Sequence, residues 1–153
     1  MTDLPRHQLT MTVLMTPDMA NFSGNVHGGA LLKLMDEAAY ACASRFAGAY
    51  CVTLSVDQVT FKQPVHVGEL VTFLASVNYT GRTSMEIGIS VIAEDIRAQT
   101  VRHTNSCYFT MVALGDDKRP LDIPAHVPAG DTETRRWREA DQRRQQRLAA
   151  ARR

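Results

Sequence analysis

The sequence is poor in cysteine, has a single tryptophan, and contains no apolar run long enough to cross a bilayer. Each shortage excludes something. Cys42, Cys51 and Cys107 cannot all pair within one chain, and their spacing fits neither a zinc knuckle nor a CxxC redox motif. They read as small buried hydrophobes, so neither a disulfide nor a metal is expected. A bilayer span needs about 20 apolar residues, and the stretch that comes closest is interrupted by Lys33, Asp36, Glu37 and Arg45. The opening "MTDLPRHQLTMTVLM" lacks the basic region, apolar core and small-residue cleavage site of a secretory leader. Cytoplasmic residence is therefore expected. No GxxxxGK[ST] phosphate loop occurs, and no internal repeat.

What is present is ordinary in bulk, with 44% hydrophobic and 22% charged residues over 153 positions, which fits one domain with a real core. The charge is not evenly spread. Residues 131–153 hold eight arginines against four acids, a balance of +4, so residues 1–130 carry −3 of the net +1. A basic end of this kind does not by itself make a nucleic-acid binder.

The pattern along the chain predicts one strand over His7–Met15, a loop "TPDMANFSGN", and a long helix from His27 or Gly28 to near Gly48. After Gly48 the apolar period changes to two. Val52, Leu54 and Val56 share one phase, while Val59 and Phe61 fall on the other, which predicts a bulge near Asp57–Gln58. Two further strands carry Val71, Phe73, Ala75, Val77 and Tyr79, then Met85, Ile87, Ile89 and Val91, and "TVRHTNSCYFTMVAL" supplies the last. Short hairpins make neighbouring strands antiparallel. The expected architecture is α+β, one antiparallel sheet wrapped around one buried helix. "GDDKRPLDIPAHVPAG" reads as an extended surface segment. Residues 131–153 read as a basic helix or tail, with Trp137, Ala140 and Leu148 as a thin apolar stripe, that protrudes, frays or packs on a neighbouring subunit. The domain is thus taken as 1–130, with 131–153 appended.

Within the helix, Asp36 has Leu32, Ala39, Tyr40, Gly29 and Ala43 at helical spacing, so its face is expected to be largely buried. A buried carboxylate is costly unless paired or hydrogen-bonded, and such a group is a candidate base or nucleophile. The alternative is a structural acid paired with Lys33 or facing solvent at a helix edge. At the helix entrance, "NVHGGA" combines two glycines with the free N–H groups of a helix N-terminus. There an oxyanion formed in acyl transfer would be stabilised, unless the motif is only a tight turn. His27 has no Ser or Cys at a recognisable spacing and reads as local packing or hydrogen bonding.

Taken together, "ANFSGNVHGGALLKLMDEAA", "VTLSVDQVTFKQPVHVGE" and "GRTSMEI" resemble the hotdog-fold acyl-CoA thioesterases, most closely the cytosolic acyl-CoA hydrolase branch. The resemblance runs from about Leu9 to Pro128. It implies a sheet wrapped around a central helix, and hydrolysis of acyl-CoA thioesters without cofactor, coenzyme A being part of the substrate. It implies Asp36 as general base or nucleophile. Asn21 would position water or substrate across a dimer interface, with Asn25 the weaker alternative. The N–H groups of Gly28 and Gly29 would polarise the carbonyl, with His27 beside them. It further implies contacts to coenzyme A by Arg82, Thr83 and Ser84, and by Lys62, although the same hairpin also reads as a polar turn. A single copy supplies half of each composite site, so the resemblance implies a homodimer, assembled as a trimer of dimers. A non-catalytic acyl-CoA sensor on the same fold is the alternative function, and an enoyl-CoA hydratase a third. The arginine-rich end reads as a solvated helix or tail, or else as a contact for coenzyme A, an acidic partner surface or nucleic acid.

Overall fold

Five strands and two helices account for most of the computed structural model, which describes residues 3–152. In chain order they are β1 (Gln8–Leu14), α1 (Gly28–Ala47), β2 (Tyr50–Asp57), β3 (Leu70–Thr80), β4 (Ser84–Asp95), β5 (Thr100–Leu114) and α2 (Gly130–Ala151). A short 3₁₀ turn, Pro17–Met19, follows β1. The strands form one sheet in the order β1-β3-β4-β5-β2, antiparallel at every pairing. No helix among the described residues is long and apolar enough to cross a membrane.

α1 begins where the sequence places it. His27 is extended and caps the helix through its ring, and Gly48 ends it in the left-handed conformation (φ 63°) that glycine adopts without steric cost. Its buried stripe is Leu31, Met35, Ala38, Ala39, Cys42 and Ala43, spaced to fall on one side. The alanines bring the helix axis close to the sheet. Facing them are Val71, Phe73, Ala75 and Val77 of β3, Met85, Ile87, Ile89 and Val91 of β4, and Cys107, Phe109 and Met111 of β5, all buried. Burying a side chain the size of Met35 or Phe73 contributes about 1.5–3 kcal/mol, so this apolar face suffices to seat α1.

Three expectations are corrected. Val52, Leu54 and Val56 of β2 do not share one face: the register shift falls between Thr53 and Ser55 rather than at Asp57–Gln58, so Val56 pairs with the buried Phe109 while Leu54 is 69% exposed. β2 ends at Asp57, Gln58 takes a positive φ, and Val59 and Phe61 lie in the following loop. Tyr79 leaves the inner face because Asn78 is an extra residue between Val77 and Tyr79, and its ring instead meets Trp137 at 4.8 Å.

The third correction concerns α2, which neither protrudes nor frays. It lies on the sheet face opposite α1, with Ala140 buried. Arg143 donates two 2.8 Å hydrogen bonds to Glu86 and stacks 3.6 Å over the Tyr108 ring. Arg147 reaches Asp57 at 3.2 Å. Along the helix Arg135 pairs with Glu139 at 3.8 Å, whereas Arg143 turns to the sheet. Its partner Glu86 is a buried carboxylate held also by Asn78 Nδ2 at 2.9 Å.

Candidate active site

The entrance to α1 is built by a compact loop. Asn21 Oδ1 accepts from the N–H groups of Ser23 and Asn25 and from the Ser23 hydroxyl, at 2.9–3.1 Å. The Asn21 oxygen is thus committed to shaping the loop, and its amide N–H2 is the part without a partner among the described residues. Asn25 is occupied elsewhere, its Oδ1 lying 2.9 Å from His66 Nδ1. At the first turn, the Gly29 N–H donates to His27 Nδ1 at 3.0 Å. That bond revises the expected pair of free N–H groups, since only the Gly28 N–H lacks a protein acceptor among the described residues. It also leaves the His27 ring proton, in the neutral form, on Nε2. The Phe61 ring closes over this point, 3.6 Å from where a Gly28 Cβ would stand.

Asp36 is not buried by its own chain. It is exposed on a flank of α1 between the exposed Leu32 and Tyr40. Among the described residues it forms no ion pair, with Lys33 or any other base. Its one hydrogen-bond partner among the described residues is Thr53 of β2, whose hydroxyl donates to Asp36 Oδ1 at 2.6 Å, leaving Oδ2 open. Sequence reasoning missed Thr53. The alternation that put Val52, Leu54 and Val56 in one phase gave the threonine between them no role.

Arg82 and Thr83 lie in the turn between β3 and β4 and Ser84 opens β4, beside the end of β5: the Thr83 carbonyl accepts from the Ala113 N–H, and Ser84 pairs with Val112. This is the edge of the sheet nearest the C-terminal end of α1. Gly28 lies at the opposite end, where Val26 and Val65 join, so one chain does not bring the hairpin to the helix entrance. Arg82 is highly exposed and lies 3.5 Å from Asp122. Lys62 is exposed beside Phe61 and has no ion-pair partner among the described residues.

A further polar cluster, also missed, lies behind the Phe61 loop. Arg102 of β5 binds both oxygens of Glu69, at 2.5 and 2.8 Å, and the Pro64 carbonyl at 2.7 Å. The Arg102 guanidinium, aided by the His66 N–H, holds the Glu69 carboxyl below the usual glutamate range despite its burial. The folded-state value is depressed, so the stability this gives is full above the ordinary glutamate range and is lost as pH falls through the lowered value. Thermal midpoints taken downward from about pH 5 should therefore fall more steeply for the parent than for Glu69→Gln. Equal slopes would show that another carboxylate governs the acid limb.

The cysteines do not enter the chemistry. All three are buried, and burial pushes the Cys42 and Cys107 thiols up to about 12, far from the thiolate a nucleophile requires.

Residues 23–100 match the family model of the Thioesterase superfamily. Protein VdlD of Helicobacter pylori is 50% identical over 142 residues, 93% of this chain and 81% of that protein. The cytosolic acyl coenzyme A thioester hydrolase of Rattus norvegicus is 34% identical across 86% of this chain, which spans 35% of the rat enzyme. An apo-hexameric acyl-CoA thioesterase superposes with a TM-score of 0.91 at 32% identity, over 95% of this chain and 94% of its own. Acyl-CoA hydrolase from Staphylococcus aureus, in complex with butyryl coenzyme A, gives 0.86 at 30% identity, over 94% and 88%. Structures of that hydrolase include alanine variants at an Asn, an Asp fifteen positions later and a Thr seventeen beyond it.

With a five-stranded antiparallel sheet packed on a central helix, the chain belongs to the thioesterase superfamily and has the hotdog fold. Within that family it is an acyl-CoA thioesterase, a hydrolase related to the cytosolic and the bacterial hexameric enzymes. The hydratase and sensor readings give way to this one.

Proposed function

We propose that the chain hydrolyses acyl-CoA thioesters at a composite site in which Asp36 activates the attacking oxygen and the Gly28 N–H receives the developing oxyanion. The observation that carries the reading is Asp36 itself, a helix carboxylate set among exposed apolar side chains, oriented by the Thr53 hydroxyl and left with one open oxygen. In the step we envisage, Asp36 takes a proton as water attacks the thioester carbon, and negative charge collects on the carbonyl oxygen at Gly28. Collapse breaks the C–S bond and releases coenzyme A thiolate, a leaving group good enough to depart without a dedicated acid. Direct attack by Asp36, followed by hydrolysis of the anhydride, uses the same groups. The Asn21 amide N–H2 would hold the water or carbonyl, and Asn21, Asp36 and Thr53 repeat the Asn–Asp–Thr spacing altered in the S. aureus hydrolase.

No hydrogen bond joins Asn21 to Asp36 within the described chain, so a second copy is needed to complete the site. Leu32, Tyr40, Tyr50 and Leu54 are all exposed around Asp36, and β2 has one unpaired edge. Covering them with a second copy would desolvate Asp36 and bring in the partner's loop, and the hexameric neighbours support a trimer of dimers. In that assembly Arg82, Thr83, Ser84 and Lys62 are assigned to the nucleotide end of coenzyme A. The cytosolic relatives support a cytoplasmic setting.

Thiol release from a panel of acyl-CoAs of graded chain length tests the reading directly. Thr53→Val should lower kcat roughly 10-fold, the scale of losing one orienting hydrogen bond of about 1.5 kcal/mol to a charged group. A parent that binds acyl-CoA without releasing thiol would sink the reading.

A further inference from the structure

The Glu69–Arg102 pair sits away from the reacting groups, yet every contact it makes leads toward them. Arg102 is near the start of β5, opposite Ala93 of β4 and beyond the reach of β2, whose pairing with β5 stops at Tyr108. Its guanidinium grips Glu69 through both oxygens and the Pro64 carbonyl, so one rigid fork fastens both ends of the segment 64–69. Glu69 Oε1 in turn accepts from the His66 N–H at 2.7 Å. From there two short paths run to the site. His66 Nδ1 meets Asn25 Oδ1, and the Asn25 N–H donates to Asn21 Oδ1. The Val65 carbonyl accepts from the Val26 N–H at 2.7 Å, one residue before the His27 cap. Both Val26 and Val65 are buried.

We propose that Glu69 and Arg102 are positioning residues for the thioesterase reaction, a latch that fixes the Asn21 loop and the Gly28 N–H against the sheet. The inference rests on the proposed roles of Asn21 and Gly28. The physical reason is geometric. The Asn21 loop and the entrance of α1 have no strand ladder of their own beyond isolated bridges at Ala20–Val26 and Asn25–His66. What anchors them to the sheet from this side is the segment 64–69; Met15 holds its far end through the Glu69 carbonyl and the Gly68 N–H at 2.9 and 2.8 Å, and Arg102 is the one side chain that grips both of its ends. A misplacement of about 1 Å in such a group costs on the order of 100-fold in rate while leaving ground-state affinity nearly intact.

The test separates positioning from stability by removing both charges at once. Replacing a buried ion pair by apolar residues of similar volume is commonly neutral for stability, whereas removing one member is not. In the full-length double variant Glu69→Leu/Arg102→Met, the thermal midpoint and oligomeric state should match the parent. With an acyl-CoA that the parent turns over, kcat should fall about 10- to 100-fold and KM should move less than about threefold. Amide exchange in the peptides covering residues 16–30 and 58–69 should quicken at least about 10-fold, with the β3–β4 core unchanged. Arg102→Lys keeps the charge but loses the fork, and should fall between parent and double variant in both readouts. It decides the matter if the double variant does not fold. An unchanged kcat in a folded variant whose exchange has quickened overturns the positioning role, and unchanged exchange overturns the latch. A parent that releases no thiol would instead bring down the reading of the site, and the exchange data would still decide whether the latch orders these segments.

Discussion

Asp36→Asn is expected to lower thiol release from acyl-CoA by about 1,000-fold while leaving the thermal midpoint in place. The substitution is isosteric, and the remaining carbonyl oxygen can still accept from the Thr53 hydroxyl that now meets Oδ1. Among the described residues no ion pair is broken, because Asp36 has none, and its side chain lies outside the packed stripe of α1. What disappears, on the proposed mechanism, is the group assigned to take a proton from water or to attack the carbonyl. The loss should therefore fall on kcat, with KM nearly unchanged, the signature of an interaction needed only in the transition state. Thiol release followed at saturating and limiting substrate, beside a melting curve, reads both quantities. Retention of a tenth or more of the parent rate would move the chemistry to another residue.

The largest effect on stability is expected on the other side of the sheet. Arg143→Ala should destabilise the fold by about 3–5 kcal/mol, the cost of leaving a buried charge without its partner. For a chain of this size that is a drop of about 10 °C in the thermal midpoint. The argument lies in how Glu86 is held. Its side chain is 5% exposed, and two of its three hydrogen bonds come from Arg143. The same guanidinium covers the Tyr108 ring, so its removal also uncovers aromatic surface and frees the middle of α2. Glu86→Leu/Arg143→Met should recover most of the loss, since it removes the charge along with its counter-charge. If Arg143→Ala melts within a degree or two of the parent, α2 is held by Trp137 and Ala140 rather than by the ion pair.

The contrast between these two residues shows what a single sequence makes legible. α1 could be bounded because its start and stop signals are local, a capping residue before two glycines and a left-handed glycine after Ala47. The inner faces of β3 and β4 could be read because both are central strands with strict alternation up to Val77. β2 could not, because it is an edge strand whose bulge at Leu54 has no local marker and shifts the phase of its apolar residues midway. α2 looked like a solvated helix because its binding energy lies in a carboxylate 57 residues away in sequence. At the proposed site, an acid in mid-helix drew attention to Asp36, and the glycine pair to the helix entrance. The division of labour there was not visible. That the His27 ring takes the Gly29 N–H, or that Thr53 meets Asp36 across 17 residues, follows from packing angles and not from spacing.

Asn78, the residue by which β3 exceeds β4, works as a frame shift in the sheet. Up to Val77 odd-numbered residues serve the face of α1; past the insertion the parity changes, and Tyr79 belongs to α2. The added side chain needs room, and β4 provides it with Gly88, where a Cβ would stand 2.5 Å from the Asn78 amide nitrogen. The inserted residue and the missing side chain are thus two halves of one device on neighbouring strands. A chain that lost Asn78 but kept Gly88 would leave Tyr79 opposite Glu86 yet carry a hole and strip Glu86 of its amide donor, and one that kept Asn78 but filled Gly88 would push the amide off Glu86. The two positions can change only together, and the footing of α2 on the sheet is what ties them.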